Sequence, residues 1–435
     1  MTLRERFQRE PYAGYAYAYP HKTAYRPLAP PRQLHDVWAD EPRNPLFLYF
    51  HIPFCESKCA YCNLFSTRDD RTAIERYVAA VRRQIHTVAE ELGPVGIATA
   101  ALGGGTPSLL SEAQLESLFA TAEATFGVAW GQIPVSAEVS PGTGTASKLR
   151  LLHRLGVTRL SVGIQSFQAD ELRALARPQS AKQTAQALDL AREIGFPTLN
   201  LDLIYGIPGQ TPESWRASLH QALQSQPEEL YLYPLYRRPH TALARKRVVL
   251  DQRPALYRLG RDHLLAAGYE QLSMRCFRLP RPRLPAAPDY CCQQDGMVGL
   301  GCGARSYTRA LHYGWEYAAS PARVRQLVAA FADPHTDHAL VSHGFRLDRA
   351  EQQRRFVIKS LLRKPGLALD RFQEQFDVSP ALALPALRQL LDEGLMTEEE
   401  GALVLTGEGL AWSDAIGPWL YSAAARERME DELCP

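Results

Sequence analysis

The chain has 435 residues, of which 46% are hydrophobic and 22% charged, and its formal net charge is +2. Such a composition belongs to a folded protein with one large domain plus attachments and excludes a disordered tail, while 49 basic against 47 acidic residues give no concentrated basic surface for nucleic acid. No apolar run reaches the roughly 18 residues of a membrane span, and the N-terminus, MTLRERFQREPYAGYAYAYP, lacks the apolar stretch of a signal peptide, so a cytoplasmic location is expected.

Residues 1–44 are rich in Tyr and Pro. They read as an irregular arm packed on the main domain, because a mobile tail would leave many aromatic rings in water. From residue 45 onward, apolar and β-branched runs alternate with helical patterns, the signature of a parallel βα protein. The first run, LFLYFHIPF at 46–54, precedes an amphipathic stretch with Ile74, Tyr77, Val78, Val81 and Ile85 at helical spacing. GIATAAL follows from Gly96, then a glycine turn and a helix starting near Ser111. VSAEV at 135–139, RLSVGI at 159–164, TLNLDLI at 198–204 and ELYLYPL at 229–235 supply the remaining strands. Gly156, Gly195 and Gly268 fall just after helical patterns, where left-handed caps belong.

Each strand ends in residues that make poor core. The cysteines follow the first, and Gly103 to Pro107 follow the second. Glu138 lies in the third, Gln165 closes the fourth, Asp202 lies in the fifth and Tyr236 follows the sixth. A parallel barrel opens all these ends on one face, where active sites are built; an open doubly wound sheet would gather them too. After about residue 345 the chain turns helical, with RRFVIKSLL, RFQEQF and LALPALRQLLDEGL, then the strand candidate ALVLT. This order suggests a winged-helix-like appendage. Its last helix carries too little positive charge to read DNA, so packing or substrate capping is expected. The expected organisation is an arm at 1–44, a partial barrel at 45–310 and a C-terminal helical domain at 311–435.

Of the eight cysteines, Cys55, Cys59 and Cys62 share one short window, which points to metal or redox chemistry. A closed zinc site needs a fourth ligand, and only His51 is near in sequence. A four-iron four-sulfur cluster held by three cysteines would instead leave one iron open to a small molecule. Glu138 and Asp202 are carboxylates in apolar strands, where burial without a partner is expensive, and glycines at 103–105 would let backbone N–H groups approach a ligand closely.

HIPFCESKCAYC, GGGTPS, EVSPGT, SVGIQSF, DLIYGIPGQT and GLGCGARS, in that order, resemble the radical S-adenosylmethionine proteins of the oxygen-independent coproporphyrinogen III oxidase and heme chaperone branch; GLALDRFQEQF and LTGEGL resemble that branch's appended domain. The PYAGYAYAYPHKTAYR arm and the CNLFS after the cysteines suggest a side group within it. The resemblance implies a partial (β/α)6 TIM-like barrel, a [4Fe-4S] cluster and S-adenosyl-L-methionine. Cys55, Cys59 and Cys62 would hold three irons, and the amino and carboxylate groups of S-adenosylmethionine would chelate the fourth. An electron from a flavodoxin or ferredoxin would then release a 5′-deoxyadenosyl radical that takes hydrogen from a small-molecule substrate, a tetrapyrrole or another conjugated carboxylate.

By the same resemblance, Tyr49 and Tyr61 lie beside the cluster and adenine, and Gly103, Gly104, Gly105 and Thr106 contact the methionine end. Glu138, Gln165 and Asp202 accept or donate to ribose hydroxyls or the ammonium, and Arg177 pairs with a carboxylate. Tyr236 and Arg305 align with adenine-side contacts, although both identities depart from the family. No catalytic residue is implied.

The oxidase carries a further cysteine two residues after the third cluster ligand, and here that position is Leu64. The resemblance therefore implies an enzyme acting on a porphyrin-related or other conjugated molecule, with methyl transfer open beside decarboxylation. RRPHTALARKR and RCFRLPRPR would suit an acidic substrate, or are solvated loops. A second class is a heme carrier without turnover, with His51, His240 and the free cysteines as axial ligands. A zinc-stabilised barrel is the third.

Overall fold

The computed structural model describes residues 2–68, 70–238, 241–243, 251–280 and 291–431; His240 and Cys434 lie outside them. Six parallel strands form the centre: β1 (Leu46–Ile52), β2 (Ile97–Gly104), β3 (Val135–Val139), β4 (Arg159–Gln165), β5 (Thr198–Tyr205) and β6 (Glu229–Pro234). Their near-continuous apolar runs are what a sheet covered by helices requires. Leu48, Phe50, Leu102, Leu160, Leu201 and Leu230 are at most 1% exposed.

Between them run α1 (Arg71–Leu92), α2 (Glu112–Phe126), α3 (Ala146–Arg154), α4 (Ala181–Ile194) and α5 (Pro212–Gln224), with α6 (Arg253–Ala266) after β6. Local signals set their ends. The Asp70 carboxylate accepts the Ala73 N–H to start α1, and Ser111 with Gln114 forms a capping box at α2. The apolar stripe Ile74, Tyr77, Val78, Val81 and Ile85 is buried. Gly156, Gly195 and Gly268 all have φ between 81° and 88°, as their cap positions demand.

The sheet extends beyond these six. A further strand, β7 (Met297–Leu300), pairs parallel with β1 on its other side. Next to it run the antiparallel strands β8 (Arg305–Tyr307), β9 (Leu311–Gly314) and β10 (Leu340–Arg346). At the other edge, Cys276–Arg278 and Glu270–Gln271 add to β6. The sheet thus continues past residue 310. β7 is only MVGL, too short for a periodic signal.

The arm holds more regular structure than its composition suggests. Thr2 and Glu5 make a capping box for the helix Leu3–Arg9, and Arg26–Gln33 pairs antiparallel with β10. Phe7, Tyr19 and Ala24 enter a second core with Phe356, Phe372, Leu387, Leu403 and Ile416, so the arm packs on the C-terminal helices as well as on the main sheet. In that second core the helices Arg349–Leu361 and Leu369–Phe376 adjoin a small antiparallel sheet of Leu367–Ala368, Ala402–Leu405 and Met396–Glu399. The run LALPALRQLLDEGL is two short helices, Pro380–Ala383 and Leu387–Asp392, because Pro385 between them cannot donate the interior hydrogen bond. The chain does not close on ALVLT. Further helices follow at Gly407–Ala411, Ser413–Trp419 and Ala423–Asp431. Arg275 and Asp414, 5% and 1% exposed, tie the two cores through N–O contacts of 2.6 and 2.5 Å. No helix among the described residues is long and apolar enough to cross a membrane.

Candidate functional site

The loop after β1 carries the three cysteines and is closed by a two-residue parallel ladder, Phe54 to Thr67 and Cys55 to Arg68. Behind it lies the turn after β2. The Gly105 N–H donates to the Ile52 carbonyl at 2.7 Å and the Thr106 N–H to that of Phe54 at 2.8 Å. A Cβ on Gly105 would stand 2.6 Å from the Phe54 oxygen and 2.9 Å from Cys55 Sγ. Only glycine lets these loops lie together.

Each cysteine has its own polar neighbour. Thr106 Oγ1 donates to Cys55 Sγ at 3.5 Å, Arg177 Nη1 donates to Cys59 Sγ at 3.5 Å, and Ser66 Oγ lies 3.9 Å from Cys62 Sγ. Burial pushes the Cys55 thiol up to about 11, against the Thr106 hydrogen bond, and also raises Cys62. Deprotonation of these thiols therefore needs cationic charge beside them, as iron would supply.

His51 does not complete a zinc set. Its Nε2 must donate to the Phe65 carbonyl, 2.9 Å away, because a carbonyl only accepts; Nδ1 then takes the Tyr49 hydroxyl at 3.3 Å. Both ring nitrogens are used. Among the described residues no three His, Cys, Asp or Glu side chains are grouped to hold one metal ion.

Of the fifteen residues expected to bind cofactor or metal, all but Gly103 line a single cavity of about 1260 Å³. Glu138 opens into it from β3 while protein surrounds it; this enclosure, then Asp202, raises its carboxyl to about 7. The Gly104 N–H donates to Glu138 Oε2 at 3.2 Å. Gly103 stands just behind, where a Cβ would press within 2.9 Å of Glu138 Oε1. Asp202 accepts from Asn200 Nδ2 at 2.9 Å and Ser161 Oγ at 3.2 Å, and burial still lifts its carboxyl. Gln165 has φ +68° at a register shift between β4 and β5. A bulge of this kind re-aims a side chain, and here Gln165 faces the cavity. The Arg177 guanidinium spans the mouth of β4, donating to the Gly163 carbonyl at 2.5 Å and to the Tyr61 hydroxyl at 3.4 Å.

Tyr236 and Arg305 line the same cavity but are engaged elsewhere. The Tyr236 hydroxyl contacts Asp414 and Arg275, and Arg305 Nη1 donates to the Tyr17 hydroxyl at 2.6 Å. The facing wall, which sequence reasoning missed, comes from the arm and the last helices: Tyr15, Tyr17, His21, Lys22, Pro418 and Trp419. Its one sequence signal was the density of tyrosines around the His-Lys pair. Leu64 also lines the cavity, 45% exposed.

Two family descriptions match the chain, the Radical SAM superfamily over residues 49–222 and the HemN C-terminal domain over 347–412. The heme chaperone HemW of Escherichia coli is 32% identical over 271 residues, covering 60% of this chain and 69% of that protein. The chain is a radical S-adenosylmethionine protein of the coproporphyrinogen III oxidase and heme chaperone family. The heme chaperone HemW of Bacillus subtilis is 28% identical over 385 residues, 86% of this chain and 98% of that protein. The solved structure of the Escherichia coli coproporphyrinogen III oxidase HemN superposes with a TM-score of 0.76 at 27% identity, covering 89% of this chain and 92% of that one.

The cofactors of this radical S-adenosylmethionine protein are a [4Fe-4S] cluster and S-adenosylmethionine. The chain's residues fit both. Three thiols with separate polar neighbours suit three irons better than one ion. The glycine turn brings backbone close beside them, with its N–H groups already bonded to Glu138, Ile52 and Phe54 and its carbonyls left as the groups a ligand could reach. Two expectations need correction. In RCFRLPRPR, Arg275 is buried against Asp414 and Arg278 binds Glu229 at 2.6 Å, so neither is a free cation for a substrate; residues 281–283 lie outside the described residues. As axial heme ligands, His51 has no nitrogen to spare and Cys276 and Cys302 are buried, so the expectation narrows to the half-buried Cys291 and Cys292.

Proposed function

We propose that this chain is a radical S-adenosylmethionine enzyme that acts on a carboxylate-bearing tetrapyrrole by a reaction other than propionate decarboxylation, methyl transfer being the outcome favoured. The observation that carries the reading is the single cavity, larger than the usual ligand pocket of about 300–1,000 Å³. Cysteines and strand-end carboxylates form one side, and aromatic rings with arginines form the other. Leu64 supports the departure from decarboxylation, since it presents an alkyl group to the cavity where the oxidase places a cysteine.

Cys55, Cys59 and Cys62 would hold the cluster, and the contacts of Thr106, Arg177 and Ser66 with their sulfurs would tune its potential. With S-adenosylmethionine bound, the cluster would supply one-electron radical chemistry at this side of the cavity. Gly104 and Gly105 offer backbone carbonyls, not N–H groups, to the ammonium at the methionine end. Glu138, Asp202 and Gln165 accept from the ammonium and ribose hydroxyls, with Tyr49 and Tyr61 beside the rings. The arm and the last helices exclude water from the reacting region. A flavodoxin or ferredoxin provides the electron.

Anaerobic reconstitution with iron and sulfide, reduction, and chromatography for 5′-deoxyadenosine and S-adenosylhomocysteine with and without a tetrapyrrole tests this reading. Tetrapyrrole-stimulated release of either product is expected. The heme-carrier reading draws on the two relatives named heme chaperones; a heme absorption band with no nucleoside product would favour it.

A further inference from the structure

We propose that Arg305 and Arg238, with His21 and Lys22 of the arm, form a carboxylate-binding subsite that grips the substrate's propionates. This deepens the tetrapyrrole reading and rests on it.

The cations of the facing wall are seated on tyrosine rings. The Arg305 guanidinium lies 4.9 Å from the centre of Tyr17, Arg238 lies 4.7 Å from Tyr236, and Lys22 Nζ lies 4.0 Å from Tyr317. A ring face attracts a cation without cancelling its charge. Arg305 and Arg238 have no carboxylate partner among the described residues, whereas the neighbouring Arg275 is neutralised by Asp414. Around Arg305 stand the phenols of Tyr17, Tyr25 and Tyr307, and its Nε is buried without a hydrogen-bond partner. A guanidinium so enclosed is under-satisfied, and its planar fork matches a carboxylate.

His21 adds a neutral donor. Its Nδ1 accepts the Thr23 N–H at 3.3 Å, which leaves the proton on Nε2. Burial, then Lys22, Arg305 and Arg238, hold its pKa well below the ordinary range. Burial would raise the Tyr17 phenol, but Arg305 and Lys22 outweigh it and lower it. The same cations thus act on both arm residues, as one positive region would. On the opposite side Glu138 and Asp202 face the cavity, so a molecule with carboxylates at one end is oriented by the field between the two walls. This assigns Arg305 to substrate and not to the adenine side.

The test is optical titration of the reconstituted protein with protoporphyrin IX and with its dimethyl ester, alongside calorimetry with S-adenosylmethionine. The wild type should bind the free acid at least about tenfold more tightly than the ester. Arg305→Gln and Arg238→Gln should each erase most of that preference by weakening the acid alone, and Arg305→Lys should restore part of it. Equal affinity of the wild type for acid and ester overturns the subsite and leaves the tetrapyrrole reading standing; binding of neither form overturns both. If Arg305→Gln weakens S-adenosylmethionine while the acid preference persists, the anion held there is the cofactor's and the proposal fails.

Discussion

On the strand-end wall of the cavity, Tyr49, Gly104, Glu138, Gln165 and Asp202 stand on the successive parallel strands β1 to β5 and are fixed by neighbours in the same sheet, and the cysteine loop follows β1 directly. On the facing wall, Tyr17 meets Arg305 across 288 residues of sequence and Tyr236 meets Asp414 across 178. The first wall is rigid because parallel strands hold it in register. The second exists only once the arm and the C-terminal helices have docked. Apart from the tightly packed turn at Gly105, substitutions on the first wall should therefore alter cofactor binding with little effect on stability, and substitutions on the second should alter docking or substrate with the cluster retained.

Cys59→Ala is the most severe test of the first wall. It should lose most of its iron and sulfide on reconstitution while keeping its far-ultraviolet circular dichroism, and full iron content would remove Cys59 from the cluster. On the second wall, Asp414→Asn leaves Arg275 buried without its carboxylate, which costs about 3–5 kcal/mol. Denaturant unfolding should show that loss, with iron content unchanged; a loss below about 1 kcal/mol would make the pair incidental.

Gly105→Ala should destabilise by about 1–3 kcal/mol, since its Cβ would collide with the Phe54 carbonyl, and it should displace the cysteine loop enough to lower iron content. Iron binding at the wild-type level would show that the loops yield freely. Asp202→Ala should weaken S-adenosylmethionine binding more than it weakens the fold, and unchanged affinity in calorimetry would take Asp202 out of the site.

The smallest effect is pH dependence at Glu138. Its carboxyl lies at about 7 in the ligand-free chain, above the ordinary value of 4.5, so the folded state binds the proton more tightly than the unfolded one. That contribution to stability is complete below the ordinary carboxylate range and is lost as pH rises through about 7. S-adenosylmethionine, which needs the anionic acceptor, should bind more tightly as pH rises over the same window. Glu138→Gln should flatten both dependences, and a wild-type affinity independent of pH between about 6 and 8 would assign the acceptor role elsewhere.

The six central strands, the capped helices between them and the cysteine loop were legible in the sequence because their signals are local: apolar runs, caps and a spacing contained in one loop. The positions of Glu138 and Asp202 were legible for the same reason, as carboxylates in apolar strands. β7 was not, because MVGL becomes a strand only by pairing with β1. Nor were His51's engagement by Phe65 and Tyr49, the burial of Arg275 against Asp414, or the π-seated cations over the arm tyrosines. Those features depend on which distant segments come into contact, and that choice is made by the packing of two cores. The chemistry of the strand-end wall follows from local order along the chain, since register along each strand places its residues. What faces that wall is set by long-range packing, because no local period links residue 17 to residue 305.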